Sequence, residues 1–141
     1  MYEREFDILV YGATGYTGRL VAEYLSNHYG PRNDGPKWAM AGRSLEKLAE
    51  VRDLIGAPAD TPLVVANADD ASDLEAMCQR TRVVLTTVGP YQLYGDKLVA
   101  ACVKTGTDYA DLCGEPAWMA AKIAEHQAAA EASGARICFS S

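Results

Sequence analysis

Regularly spaced glycines are the first candidates for a binding function in this sequence. The run Gly-Ala-Thr-Gly-Tyr-Thr-Gly at residues 12–18 follows the apolar stretch 6–11 and precedes a helical pattern. Gly12 permits a tight turn out of a strand, Gly15 lets the backbone approach a phosphate, and Gly18 lets a helix lie close to a sheet. Free amides and the helix dipole then favour an anion. The motif predicts a dinucleotide pyrophosphate site, although these glycines could serve only a turn and close packing.

A second candidate lies at the end of the next apolar stretch, in Ala-Gly-Arg-Ser at residues 41–44. An NAD-binding domain usually has an acid here for the ribose hydroxyls. Arg43 can instead bond a 2′-phosphate, with the Ser44 hydroxyl as a second donor. The pattern therefore favours NADP(H) over NAD(H). The alternative is that Ser44 only caps the following helix and that Arg43 is a solvated side chain.

Three further groups follow later strands. Asp69 could accept from an adenine amino group or be an N-terminal acid of the next helix. Val88, Gly89 and Pro90 would form a wall beside the nicotinamide ribose, while the nearby Tyr91 and Tyr94 could equally belong to a structural loop. The fifth strand and the residues after it carry the carboxylates Asp108, Asp111 and Glu115, and Glu115 suits the position before a helix that has Pro116 as its first residue.

No catalytic residue can be assigned. The spacing G-x-x-G-x-x-G is typical of short-chain reductases, which usually carry a catalytic Y-x-x-x-K, and no tyrosine here is followed by lysine four positions later. The four cysteines form no C-x-x-C pair, and two histidines do not suggest a metal site. We therefore expect no metal and interpret the cysteines as reduced, buried apolar side chains.

Length and charge limit the function further. The 141 residues suffice for one domain, and the net charge of −6 argues against a nucleic-acid partner. The sequence shows neither a membrane span nor a signal peptide, so we expect a cytoplasmic protein.

The apolar runs alternate with helical patterns along the whole chain. We predict strands at 6–11, 38–41, 63–66, 83–87, 108–111 and 136–139, with a helix between each pair. Helices are expected to end at Gly30, Gly56, Gly106 and Gly134, a capping box is expected at 72–75, and a surface turn at 30–36. This alternation predicts an α/β Rossmann fold, a doubly wound parallel sheet of order 3-2-1-4-5-6.

These motifs together resemble those of the saccharopine dehydrogenase-like oxidoreductases, and are most similar to their trans-acting enoyl reductases. The resemblance rests on the glycine turn, on 41–44, on Val-Val-Leu-Thr-Thr-Val-Gly-Pro-Tyr at 83–91 and on Gly-Thr-Asp-Tyr-Ala-Asp-Leu-Cys-Gly-Glu at 106–115. Cys113 departs from the threonine common in that family. The resemblance implies cofactor contacts from residues along these motifs: Gly12, Thr14, Gly15, Gly18, Arg43, Ser44, Val88, Gly89 and Pro90. Tyr16 and Asp69 complete the predicted cofactor site.

The resemblance also implies that residues 1–141 are the N-terminal NADP-binding domain of a longer oxidoreductase whose second domain binds the substrate. The intact enzyme would reduce a polarised C=C bond of an enoyl thioester in lipid or polyketide assembly, and this domain alone would be inactive. Two alternatives stay open: an NADP(H)-sensing regulatory module, and an amino-acid or polyamine dehydrogenase. Oligomeric state and attachment to a membrane surface through the missing region are left undecided.

Overall fold

The fold is a parallel sheet with helices on both faces. The computed structural model describes residues 4–29 and 35–141. Its strands and helices occur in this order: β1 (Phe6–Tyr11), α1 (Tyr16–Tyr29), β2 (Trp38–Gly42), α2 (Leu45–Leu54), β3 (Leu63–Val65), α3 (Ala71–Cys78), β4 (Thr81–Thr86), α4 (Tyr91–Tyr94), α5 (Asp96–Thr105), β5 (Asp108–Asp111), α6 (Pro116–Ser133) and β6 (Ile137–Cys138).

The sheet has the predicted topology. Its six strands run parallel in the order β3-β2-β1-β4-β5-β6. Leu9 of β1 pairs with Ala39 on one side and with Val84 on the other, so β1 is central. The chain leaves β1 in one direction and β4 in the other, which opens a crevice at their carboxyl ends. The predicted Rossmann fold is confirmed.

Successive residues of β1 belong to different cores. Leu9 is buried in the cluster that contains Leu74 of α3 and Leu98 of α5. Val10 is buried in the second cluster, with residues of α1 and α2 such as Leu25. Side chains alternate across a strand, so these two residues point to opposite faces of the sheet. Because helices cover both faces, apolar residues are needed on both, and the strands are nearly continuously apolar.

Local signals at the helix ends succeed in most places. Gly56, Gly106 and Gly134 have the left-handed φ values 73°, 71° and 83° expected after a helix. The capping box at 72–75 is wrong, because Asp70 caps α3 by accepting from the amide of Asp73 at 3.1 Å, which places Ser72 inside the helix.

Other predictions differ from the structure or fall on residues that it does not describe. The short helix α4 was not anticipated, and β6 is limited to Ile137–Cys138. Cys138 is exposed, whereas the other cysteines are buried. The predicted helix end at Gly30 and the surface turn at 30–36 lie outside the described residues, apart from Gly35 and Pro36. No helix within the described ranges has the length and apolar run needed to span a bilayer.

Candidate functional site: a cavity at the carboxyl edge of the sheet

A cavity of about 400 Å³ lies where the carboxyl ends of β1 to β4 meet. A larger depression of about 590 Å³ lies near Arg4, but at the opposite end of the strands, where this fold does not bind its ligands. The volume of the first cavity is in the range of small-molecule sites. It is lined by Tyr11, Gly12, Thr14, Gly15, Gly42, Arg43, Asn67, Ala68, Asp69, Thr87, Val88, Gly89 and Tyr94.

The glycine turn forms the floor of this cavity. Gly12 has a φ of +86°, and the amides of Gly12 and Ala13 both donate to the carbonyl of Ala41, at 3.0 and 3.2 Å. These bonds fix the turn against the end of β2. The amide of Gly15 donates back to the carbonyl of Gly12 at 3.0 Å, and α1 begins directly afterwards with no acid in its first turn. The first-turn amides therefore face the cavity side without a competing carboxylate.

The glycines of the motif have different reasons to be glycine. A Cβ on Gly18 would overlap the carbonyl of Gly12 and lie 2.9 Å from Oγ1 of Thr87. A Cβ on Gly15 would meet only the carbonyl of Gly12, at 3.5 Å, an ordinary contact. The predicted packing role of Gly18 is confirmed. The fold itself does not require a glycine at 15, whereas the close approach of a ligand would.

Arg43 and Ser44 lie at the end of β2. Arg43 is exposed and lines the cavity. Ser44 is the N-cap of α2, where its hydroxyl accepts from the amide of Lys47 at 3.3 Å. The capping alternative for Ser44 is thus present in the structure. It leaves the Ser44 hydroxyl proton available to an acceptor outside the chain.

The turn after β3 completes what we call the β2–β3 side of the cavity, formed by Arg43 and residues 67–69. The side chain of Asn67 accepts from the amide of Asp69 at 3.0 Å, and the Asp69 carbonyl accepts from Nζ of Lys97 at 2.6 Å. Capping of α3 falls to Asp70 and not to Asp69. The Asp69 side chain is therefore not needed as the cap of the next helix.

The opposite wall, the β4 side, is formed by Val88, Gly89 and Tyr94. Thr86 is buried, and its Oγ1 accepts from the amide of Val88 at 3.3 Å, which holds the chain in a turn as it leaves β4. Pro90 occupies the N-cap position of α4. Tyr94, at the end of this helix, reaches the cavity.

The carboxylates of β5 and of the loop that follows it are engaged with the chain itself. Asp111 is only 1% exposed and accepts from the Tyr109 hydroxyl at 2.5 Å and from the amides of Cys113 and Ser140 at 2.9 and 2.8 Å. Asp108 pairs with Arg136. Glu115 accepts from the amides of Tyr91 and Gln92, the first two residues of α4.

Two buried tyrosines support the two sides of the cavity. Burial raises the pKa of Tyr11 to about 12, and its hydroxyl donates to the carbonyl of Ala66 at 3.1 Å. Burial also raises the pKa of Tyr91, whose hydroxyl donates to the carbonyl of Thr86 at 3.3 Å and accepts from the amide of Leu112 at 3.2 Å. Both stay protonated at neutral pH. Burial likewise raises the pKa of the Cys113 thiol, so this thiol is not an activated nucleophile.

Most of the residues predicted for the site share this cavity: Gly12, Thr14, Gly15, Arg43, Asp69, Val88 and Gly89. The others lie around it. Gly18 is behind the turn, Ser44 caps α2, Pro90 precedes α4, and Tyr16 is 74% exposed beside Arg19.

Sequence reasoning missed Tyr11 and Thr87 as lining residues. The two residues are neighbours because β1 and β4 are adjacent strands that end together, and the amide of Thr87 donates to the carbonyl of Tyr11 at 3.2 Å. The strand order could have predicted this contact.

Comparison with known proteins fits this geometry. The family model for the saccharopine dehydrogenase NADP binding domain matches residues 8–138. The chain belongs to this family. A trans-acting enoyl reductase of Mycobacterium leprae is 54% identical over 136 residues, which make up 96% of this chain and 32% of that protein. This NADP-binding domain therefore spans about a third of the length of the relative. The predicted family and the predicted cofactor are confirmed.

Solved structures share the fold. Saccharopine dehydrogenase of Saccharomyces cerevisiae has a TM-score of 0.65 at 16% identity, covering 96% of this chain and 27% of that one. The triphenylmethane reductase of Citrobacter sp. in complex with NADP(H) has a TM-score of 0.68 at 19% identity, covering 95% of this chain and 48% of that one. The cavity of the NADP-binding domain fits such a cofactor, because Gly15 leaves the turn open and Arg43 supplies a positive charge at its edge.

Proposed function

We propose that the cavity at the carboxyl edge binds NADP(H), which extends from the β2–β3 side, past the glycine turn, to the β4 side. Gly12, Thr14 and Gly15 lie at the pyrophosphate, with the first turn of α1 supplying amide donors. The observation that carries this assignment is the open space beside Gly15. The packing of the fold does not require a glycine at this position, whereas a bound phosphate would occupy the space. The exposed position of Tyr16 makes it a flanking residue, while Gly18 acts through packing.

On the β2–β3 side, Arg43 and Ser44 bind the 2′-phosphate and Asp69 accepts from the adenine amino group. A guanidinium and a hydroxyl both donate, so they complement a phosphate that carries acceptors only. On the β4 side, Val88, Gly89 and Pro90 lie beside the nicotinamide ribose. The cofactor, when bound, supplies a hydride, and the residues of this chain orient it and exclude water from one of its faces.

The intact protein is proposed to reduce the C=C bond of an enoyl thioester, with residues 1–141 as its dinucleotide-binding domain. The hydride goes to the β-carbon and a proton to the α-carbon. We place the proton donor and the substrate pocket outside this domain, since Asp111 and Glu115 are already bonded to amides of the chain. The name of the Mycobacterium leprae relative supports this reaction, and the greater length of that relative supports a second domain.

We also propose a location in the cytoplasm. The sulfur atoms of Cys78 and Cys102 lie 3.7 Å apart. In the cytoplasm, which is a reducing compartment, both would stay thiols. The net charge of −6 argues against a nucleic acid as the partner.

The test compares the full-length protein with the 141-residue domain. Both are titrated with NADPH by calorimetry, and NADPH oxidation is then followed with an enoyl thioester and with a charged amino-acid adduct. We expect both proteins to bind NADPH and only the full-length protein to oxidise it, with the thioester. Turnover by the domain alone, or turnover only with the amino-acid adduct, contradicts the proposal. Binding without any turnover by the full-length protein favours the sensing module instead.

A further inference from the structure

Glu115 occupies the N-cap position of α6, directly before Pro116, but its side chain does not cap this helix. Its side chain makes no capping bond to its own helix, and instead reaches back to the segment after β4. One carboxylate oxygen accepts from the amide of Tyr91 at 2.7 Å, and the other accepts from the amide of Gln92 at 3.0 Å. The two oxygens thus satisfy the first amides of α4, which lies 24 residues earlier in the chain at Tyr91.

The helix that Glu115 holds carries one wall of the cavity. α4 has only four residues and follows directly on Pro90, and its last residue, Tyr94, lines the cavity. A helix this short has no stability of its own, because nucleation costs more than one turn returns. Its position must therefore come from contacts with other parts of the molecule.

Those contacts come from the same loop and the start of α6. The amide of Leu112 donates to the Tyr91 hydroxyl, and the Trp118 ring packs 5.7 Å from the Tyr91 ring. Nε1 of Trp118 also donates to Asp96 at 2.6 Å, at the beginning of α5. Among these contacts, the Glu115 carboxylate is the one that touches the backbone of α4 at its start.

We infer that Glu115 is a positioning residue for the β4 side of the cavity, and that through α4 it sets the affinity for the nicotinamide half of NADP(H). This inference rests on the proposed placement of the cofactor. Glu115 itself does not line the cavity. Its effect passes through the backbone of Tyr91 and Gln92 to the wall at Gly89 and Tyr94.

The chemistry of the side chain predicts a graded response. A carboxylate is an acceptor at both oxygens, so it matches two amide donors. Glutamine keeps one acceptor oxygen, but its side-chain NH2 group, which only donates, would face the second backbone amide. Alanine keeps neither. The predicted order of nicotinamide-side affinity is therefore Glu, then Gln, then Ala.

The experiment uses the full-length protein and two probes, NADPH and adenosine 2′,5′-bisphosphate, which carries the adenine and the 2′-phosphate but no nicotinamide. Glu115→Ala is expected to lower the affinity for NADPH about tenfold and Glu115→Gln about threefold, while the affinity for the bisphosphate changes by less than about twofold. The exchange rates of the Tyr91 and Gln92 amides should rise in the same order. Glu131→Gln is the matched control, because Glu131 is an exposed carboxylate of α6 whose one hydrogen bond to a described residue comes from Gln127, at 2.7 Å, and it should change neither affinity.

The outcomes separate the two claims. Equal losses for NADPH and the bisphosphate, or an unchanged NADPH affinity in both variants, overturn the role of Glu115. Failure of the unmodified protein to bind either probe overturns the proposed function, and the inference with it. Should Glu115→Ala not fold, the difference between the two probes in Glu115→Gln and the amide exchange at Tyr91 decide the question.

Discussion

The two sides of the cavity are held in different ways. On the β2–β3 side, positions are fixed mainly by bonds between residues close in sequence, such as Ser44 with Lys47 and Asn67 with Asp69. On the β4 side, the support comes from a loop more than 20 residues away, through Glu115 and Leu112. One side is therefore specified by local motifs, and the other depends on the docking of α6 and the loop before it.

Substitutions should therefore affect the two sides differently. Local capping and turn bonds form with the element itself, so that a substitution there changes one bond. Long-range bonds form only when distant parts pack correctly, and losing one shifts a whole wall.

Gly18→Ala should disrupt the common support of both sides. Its methyl group would overlap the Gly12 carbonyl, a backbone atom that cannot move without breaking the turn. Overpacking of this kind costs about 3 kcal/mol or more. We expect a much lower urea midpoint in chemical unfolding followed by circular dichroism. A stable Gly18→Ala protein would show that α1 does not lie as close to the turn as described.

Gly15→Ala is the matched substitution on the ligand side of the same turn. Its methyl group meets the Gly12 carbonyl only at 3.5 Å, so the fold should persist. NADPH affinity should fall about tenfold to a hundredfold, because the methyl group occupies the space proposed for the pyrophosphate. Calorimetry measures the affinity, and unchanged unfolding serves as the control. Unchanged NADPH affinity would remove the pyrophosphate from this turn.

The buried tyrosines compare the two sides directly. Tyr91→Phe leaves the Thr86 carbonyl and the Leu112 amide without the hydroxyl, whereas Tyr11→Phe affects only the Ala66 carbonyl. We expect a loss of about 2 kcal/mol in the free energy of unfolding for Tyr91→Phe and about 1 kcal/mol for Tyr11→Phe. Urea unfolding at neutral pH measures both. The reverse order would contradict the stronger long-range support of the β4 side.

Lys97→Met tests a second long-range contact of the β2–β3 side, beside the bond from Tyr11 to Ala66. The bond from Nζ of Lys97 to the Asp69 carbonyl links α5 to the turn after β3. Since Asn67 also holds this turn locally, we expect only about a threefold loss of affinity, equal for NADPH and NADH. A larger loss, or one confined to NADPH, would mean that Lys97 binds the 2′-phosphate itself.

The same contrast explains what the sequence could predict. The six strands, their order, the tight turn at Gly12 and the close packing at Gly18 follow from contiguous motifs and fold rules, and the structure has all of them, with a shorter β6. α4 and the role of Glu115 follow from no local pattern, because the sequence does not show which helix the carboxylate reaches. The capping error at Ser72 has a local cause, since Asp70 offers a competing cap two residues earlier.

Calorimetry of the unmodified protein and of Arg43→Ala, each titrated with NADPH and with NADH, tests the proposed cofactor site directly. If the glycine turn binds the pyrophosphate and Arg43 binds the 2′-phosphate, the unmodified protein prefers NADPH. Arg43→Ala then loses about tenfold to a hundredfold in NADPH affinity and less than about twofold in NADH affinity. Equal losses for the two dinucleotides, or no binding of either to the folded unmodified protein, would contradict the account.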